Sequence, residues 1–173
     1  MPDFPNTLKA ISNRLTTTKG DPELLYGRVQ PQAIPLEEAV LGAIMIDKDG
    51  FPSIIEILRK ESFYVEKNQT IFQVMSELFG KSQPIDLLTV HESLKKAALL
   101  ENIGGISYLM DLTNKVGSAA NIEFHARIIA QKFIQRELIR VSTQIIHDSF
   151  EDTKDVLELL DEAERGLYDI TDQ

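Results

Sequence analysis

The sequence predicts an all-α fold in which a globular helical head is followed by a long antiparallel helical hairpin. Three observations lead there. No stretch alternates apolar and polar residues as a half-buried strand does. Apolar residues recur instead every three or four positions. Pro and Gly punctuate the periodic stretches up to Gly117, and residues 122 to 149 then contain neither.

The elements follow in order. Residues 1–30 hold Pro2, Pro5, "TTTKG" and "GDPE", with only a short helical pattern around Leu8 to Leu15, and read as a mobile N-terminal arm. A head is expected over residues 31–118. Its first helix runs from about Leu36 to Ile46: Pro35 suits a first turn, Glu37 and Glu38 sit at the positive end, and Leu36, Val40 and Ile44 step by four. "DKDG" breaks it, and "FPSIIEILRK" predicts a second helix with Pro52 in its first turn. "SFYVEKNQTIFQVMSELFGK" reads as a loop and a third helix with Ile71, Phe72, Met75, Leu78 and Phe79 inward. The fourth comes from "PIDLLTVHESLKKAALL", capped by Asp86 or Thr89, with Val90, Leu94 and Ala97 facing the core. "GGISYLMDLTNK" supplies a short fifth.

A hairpin is expected over residues 119–173. Its first rod spans Ile122 to about Ser149, or ~42 Å at the helical rise. Its apolar stripe, Ile122, Ala126, Ile129 and Phe133, restarts one position on as Ile134, Leu138, Val141 and Ile145, an offset that suits two neighbours rather than one. After "FEDTKD" the last helix carries Val156, Leu160, Ala163, Leu167 and Ile170 at a strict four-three repeat, the expected hairpin seam or dimer contact. Leu157, Leu159, Ile128, Ile139 and Ile146 flank those seams, so the apolar arc is wider than one partner helix covers. Self-association through the hairpin is the expectation; the alternative is a monomer whose hairpin folds back on the head.

Composition narrows the function classes. With no cysteine there is no disulfide framework and no thiolate metal site, and a cytoplasmic setting is expected. No stretch approaches the roughly 20 apolar residues that span a bilayer, so no membrane partner is expected. The net charge of −9 is concentrated late: residues 147–173 hold ten carboxylates against Lys154 and Arg165, which disfavours a nucleic-acid backbone. Arg127, Lys132, Arg136 and Arg140 drift around the long helix instead of forming a stripe, and read as exposed exterior with little direct DNA binding.

Gly104 and Gly105 raise the question of a phosphate loop. Ile106, Ser107 and Tyr108 follow them, no lysine comes before Lys115, and no strand precedes, so neither a Walker loop nor a dinucleotide fingerprint is present. The pair is read as a corner, with Gly104 left-handed and Gly105 allowing a close helix start. His91, His125 and His147 are isolated, without the second ligand a zinc site needs. Glu158, Asp161, Glu162, Glu164 and Asp169 read as a solvated face. No catalytic residue, cofactor site or metal site is expected. A hydrolase using facing carboxylates with a divalent ion is the enzyme alternative.

In order and spacing, "PQAIPLEEAVLGAIMID", "FYVEKNQTIFQVMSEL", "PIDLLTVHESL", "IGGISYLMDL", "SAANIEFHARIIAQKFIQRELI" and "VLELLDEAERGLYDI" resemble the N-terminal domain of DnaB-type replicative DNA helicases, from about Arg28 onward. Pro35 and Leu36 stand where that family more often has glutamate and alanine. The resemblance implies that hairpins pair two subunits and that three pairs form a collar on a hexameric ring of motor domains. It implies recruitment of primase through that protein's C-terminal helical domain, and dealings with a helicase loader. Both Walker motifs are missing from these 173 residues, so ATP and magnesium are expected only for a motor domain and this chain alone is expected to be no enzyme. On the family's surface, Tyr108 in "IGGISYL", with Ile139 and Ile145, are the primase-contact candidates. A free-standing helical adaptor or inhibitor that copies the collar is the alternative.

Overall fold

The computed structural model describes residues 28–151 and 155–171. The arm predicted for residues 1–30 lies almost wholly outside them. The described residues are all-helical. They form α1 (Ile34–Ile46), α2 (Gly50–Ile54), a 3-10 turn (Lys60–Ser62), α3 (Glu66–Gly80), α4 (Leu87–Lys96), α5 (Gly105–Asn114), α6 (Ile122–Ser149) and α7 (Val156–Thr171). Residues 31–173 make one compact unit.

α1 is the central rod of the head. Val40, Leu41 and Ile44 are fully buried, and α3, α5 and the first half of α6 pack around it. Pro35 lies in its first turn, where a missing N–H costs nothing. The closest approach is at Gly42: a Cβ there would overlap the Leu112 carbonyl oxygen and sit 2.8 Å from Val116 Cγ2. Only glycine lets α5 lie this near α1.

The second helix is shorter than its sequence suggests. α2 ends at Ile54, and the chain then turns through Ile57 and Leu58, whose amides both donate to the Ile54 carbonyl. The β-branched run at Ile54, Ile55 and Ile57 is a poor helix former. Leaving the helix also lets Ile54, Leu58 and Phe63 all reach the core. In α3, Ile71, Phe72, Met75 and Leu78 are buried as predicted, whereas Phe79 is partly exposed with its ring 5.0 Å from that of Phe51.

α4 opens on Asp86, whose Oδ1 accepts the Leu88 and Thr89 amides at 2.9 Å while the Thr89 hydroxyl accepts the Asp86 amide. Val90 and Leu94 are buried, but Ala97 is exposed. The helix stops at Lys96, Ala98 takes φ +57°, and the Leu99 amide donates back to the Leu94 carbonyl, so Leu99 replaces Ala97 against the core. Gly104 is left-handed at φ +98°, as predicted. Gly105 differs in its reason: no neighbour lies near its missing Cβ, and its own φ of +72° is what requires glycine.

α6 and α7 begin at Ile122 and Val156 as the sequence indicates. The first three turns of α6 belong to the head, with Ile122, Ala126 and Ile129 buried in its core. From Val141 on, the buried side of α6 faces α7.

Candidate protein-docking surface

α7 meets α6 along a narrow face. Ile170 is buried, Leu159, Ala163 and Gly166 are half-buried, and a Cβ on Gly166 would stand 3.0 Å from Val141 Cγ1. The next column around the helix is open: Val156, Leu157, Leu160, Leu167 and Tyr168 are all exposed, Leu157 at 71% and Leu160 at 60%. Carboxylates at Glu158, Asp161 and Asp169 occupy the far side. An amphipathic helix with this wide an apolar arc, covered along one edge only, leaves a seam for another helix. α6 adds exposed Ile134, Leu138 and Ile146, and Phe150 is exposed just past its end.

Of the predicted seam, then, Ala163 is half-buried and Ile170 lines a hollow shared with Phe133 and Ile134 of the long helix and Ile55 and Leu58 of the head, while Val156, Leu160 and Leu167 stand on the open face. Ile139 and Ile145 are both half-buried on α6 but do not share a face, since six residues place them about 120° apart around the axis. Ile145 lies one turn from Val141, on the side toward α7; Ile139 looks elsewhere.

Tyr108 belongs to a polar knot between α1, α3 and α5. Glu37, expected at the positive end of α1, is there and is buried. Its carboxylate accepts the Tyr64 amide at 2.6 Å, the Val65 amide at 3.4 Å and the Asn68 side-chain amide at 2.9 Å. Val65 gives α3 no side-chain cap, so Glu37 supplies one from a different helix, its charge facing the positive end. Because the carboxylate needs a donor, the Asn68 amide nitrogen must point at it, leaving Asn68 Oδ1 to accept the Tyr108 hydroxyl at 2.7 Å. Burial, then the charge of Glu38 and a 3.5 Å hydrogen bond to it, push the Tyr108 phenol well above its ordinary value. Lys67 Nζ lies 3.5 Å over the same ring. At the rim, Lys115 meets Glu38 at 2.6 Å, and that hydrogen bond with its charge raises the ammonium's pKa.

Arg136 corrects the exposed reading given to the α6 cations. It is half-buried and donates to the carbonyls of Pro31 (2.9 Å), Ser62 (2.8 Å) and Glu61 (3.4 Å), with the Tyr64 and Phe133 rings each 5.6 Å from its guanidinium carbon. Burial lowers its pKa. Arg140, by contrast, is exposed and pairs with Glu137 at 2.9 Å on its own helix. Periodicity carries no sign of either fastener: Glu37 and Arg136 are polar residues whose partners are distant backbone groups.

A hollow of about 590 Å³ lies where the α1–α2 turn meets the start of α6 and mixes Asp47, Asp49 and Glu123 with Arg127 and the exposed Phe124. Among the described residues no group of three His, Asp or Glu is placed to hold a metal, and no helix is long and apolar enough to cross a membrane.

Comparison with known proteins bears on this surface. The family model of the DnaB-like helicase N-terminal domain matches residues 29–131. The replicative DNA helicase DnaB of Rhodothermus marinus is 44% identical over 146 residues, 84% of this chain and 15% of that protein. DnaB of Geobacillus stearothermophilus is 40% identical over 149 residues, 86% of this chain and 33% of that protein. The chain thus spans a third or less of the length of these relatives. The crystal structure of the N-terminal domain of DnaB helicase from Mycobacterium tuberculosis superposes with a TM-score of 0.77 at 33% identity, over 80% of this chain and 98% of that one. A structure of a DnaB-like replicative helicase and its interactions with primase gives 0.67 at 26% identity, over 80% of this chain and 31% of that one.

Proposed function

Since the chain belongs to the DnaB-like helicase N-terminal domain family, we propose that it is the assembly and primase-recruiting collar domain of a bacterial replicative DNA helicase. The observation that carries this reading is the open apolar face of α7 at Val156, Leu160 and Leu167. A long exposed apolar stripe on a helix marks a surface that another one covers, and a second hairpin has the matching shape. In this reading residues 119–173 pair two copies, pairs assemble three-fold, and the head over residues 31–118 sets the pairs around a ring, with residues 1–30 as an arm.

A primase C-terminal helical domain is the proposed guest, supported by the fold shared with a relative solved with primase. Its contacts would be the candidates Tyr108, Ile139 and Ile145. Divided between the head and two sides of α6, they serve a partner that spans head and hairpin rather than one that fills a single pocket. ATP and magnesium belong, in this reading, to a motor domain of the longer protein, and a helicase loader is a further partner in the cytoplasm. Sedimentation of the chain alone and with the purified primase domain tests the proposal. It expects a species heavier than a monomer at high concentration and a heavier complex with primase. A strictly monomeric chain that ignores primase overturns it.

A further inference from the structure

The sequence places the joint between head and hairpin at "KVGSAAN", where Gly117 and small residues set no angle of their own. The structure supplies the angle elsewhere. α6 is unbroken from Ile122, and its first turns are held by the core at Ala126 and Ile129. Beyond Ile129 it is fastened at Phe133, against the Arg59 guanidinium, and at Arg136, four turns in from the start. Its guanidinium gathers carbonyls from two separate places on the head: Pro31, just before α1, and Glu61 with Ser62 in the 3-10 turn. Beside Arg136, Phe133 lies between two guanidinium groups, with that of Arg59 4.8 Å from the ring centroid. A planar five-donor fork suits this geometry, and a lysine ammonium does not.

We propose that Arg136 is a positioning residue that fixes the direction of the hairpin relative to the head, acting as a clip rather than as a docking contact. The clip leaves the open face of α7 pointing one way in every copy, which a closed ring of pairs requires; that consequence alone rests on the collar reading. The angle itself is a property of the single chain.

The chain has no cysteine, so spin labels at Lys95→Cys on α4 and Asp161→Cys on α7, both exposed positions, report the head-to-hairpin distance directly. The labelled chain is diluted into a large excess of unlabelled chain so that only distances within one copy are read. The wild-type background is expected to give a narrow distribution. Arg136→Gln is expected to broaden it at least twofold, with Arg136→Lys intermediate and Arg140→Gln unchanged, while the helical circular-dichroism signal stays at the wild-type level. Narrow distributions in both Arg136 variants overturn the proposal. So does loss of the helical signal in both, since Arg136 would then hold the head together rather than set an angle. Because no primase and no self-association enter the measurement, a failed clip and a failed collar give separate results.

Discussion

Single side chains do their work here by satisfying backbone groups that the helices leave open. Glu37 completes the start of α3, and removing its Asn68 donor would leave a buried carboxylate short of a hydrogen bond at a cost of about 1–3 kcal/mol. Tyr108 is held as a neutral phenol by burial and by Glu38. The unfolded tyrosine ionises near pH 10, whereas the folded one keeps its proton above that value. Stability from this group is therefore complete below about pH 10 and falls as pH rises further, because the unfolded state then binds fewer protons. Lys115, raised by Glu38, adds loss in the same direction. Thermal melts from pH 8 to 11.5 should show the decline, and Tyr108→Phe should flatten part of it, with a small cost near pH 8 from the lost hydrogen bond. In an ultraviolet titration, one of the four tyrosines should lag behind the others. A decline identical in Tyr108→Phe and wild type would refute the assignment.

Helices are where the sequence spoke most clearly and where its silence is easiest to explain. α6 and α7 were legible because no Pro or Gly interrupts 122–149 and because a four-three stripe reports helical period directly. Period does not report which part of a wide stripe meets the neighbour. The stripe through Leu160 is centred on the open face, while the contact lies one column over at Leu159, Ala163, Gly166 and Ile170. Gly166 was no part of the expected seam, although its small size is what brings α7 onto Val141. α2 and Ala97 were misread for a related reason: tertiary burial of Leu58 and Leu99 outweighed local pattern. The open face gives an element-scale prediction. Leu160→Asp with Leu167→Asp should weaken self-association at least tenfold by sedimentation equilibrium, while the stability of the monomer shifts by only ~0.5 kcal/mol or less per site, as for exposed positions. A large loss of monomer stability would show that the face is already covered within one copy.

Across the whole chain, burial is graded. The head holds nearly all of the buried apolar residues, and beyond Ile129 the long helix contributes only Val141 to that list. Amide exchange should follow the same gradient: slow in α1, α3 and residues 122–130, faster in residues 142–149 and in α7 at low concentration, and slowed there as concentration rises. Uniform protection along α6 at all concentrations would contradict it. The order of the fasteners along the chain has a consequence for synthesis. Glu37 is made before the α3 start that it caps, Asn68 before the Tyr108 that bonds it, and Pro31, Glu61 and Ser62 before the Arg136 that gathers them. A chain leaving the ribosome from its first residue therefore meets each receptor group already in place, and the molecule can close from front to back without waiting for its own end.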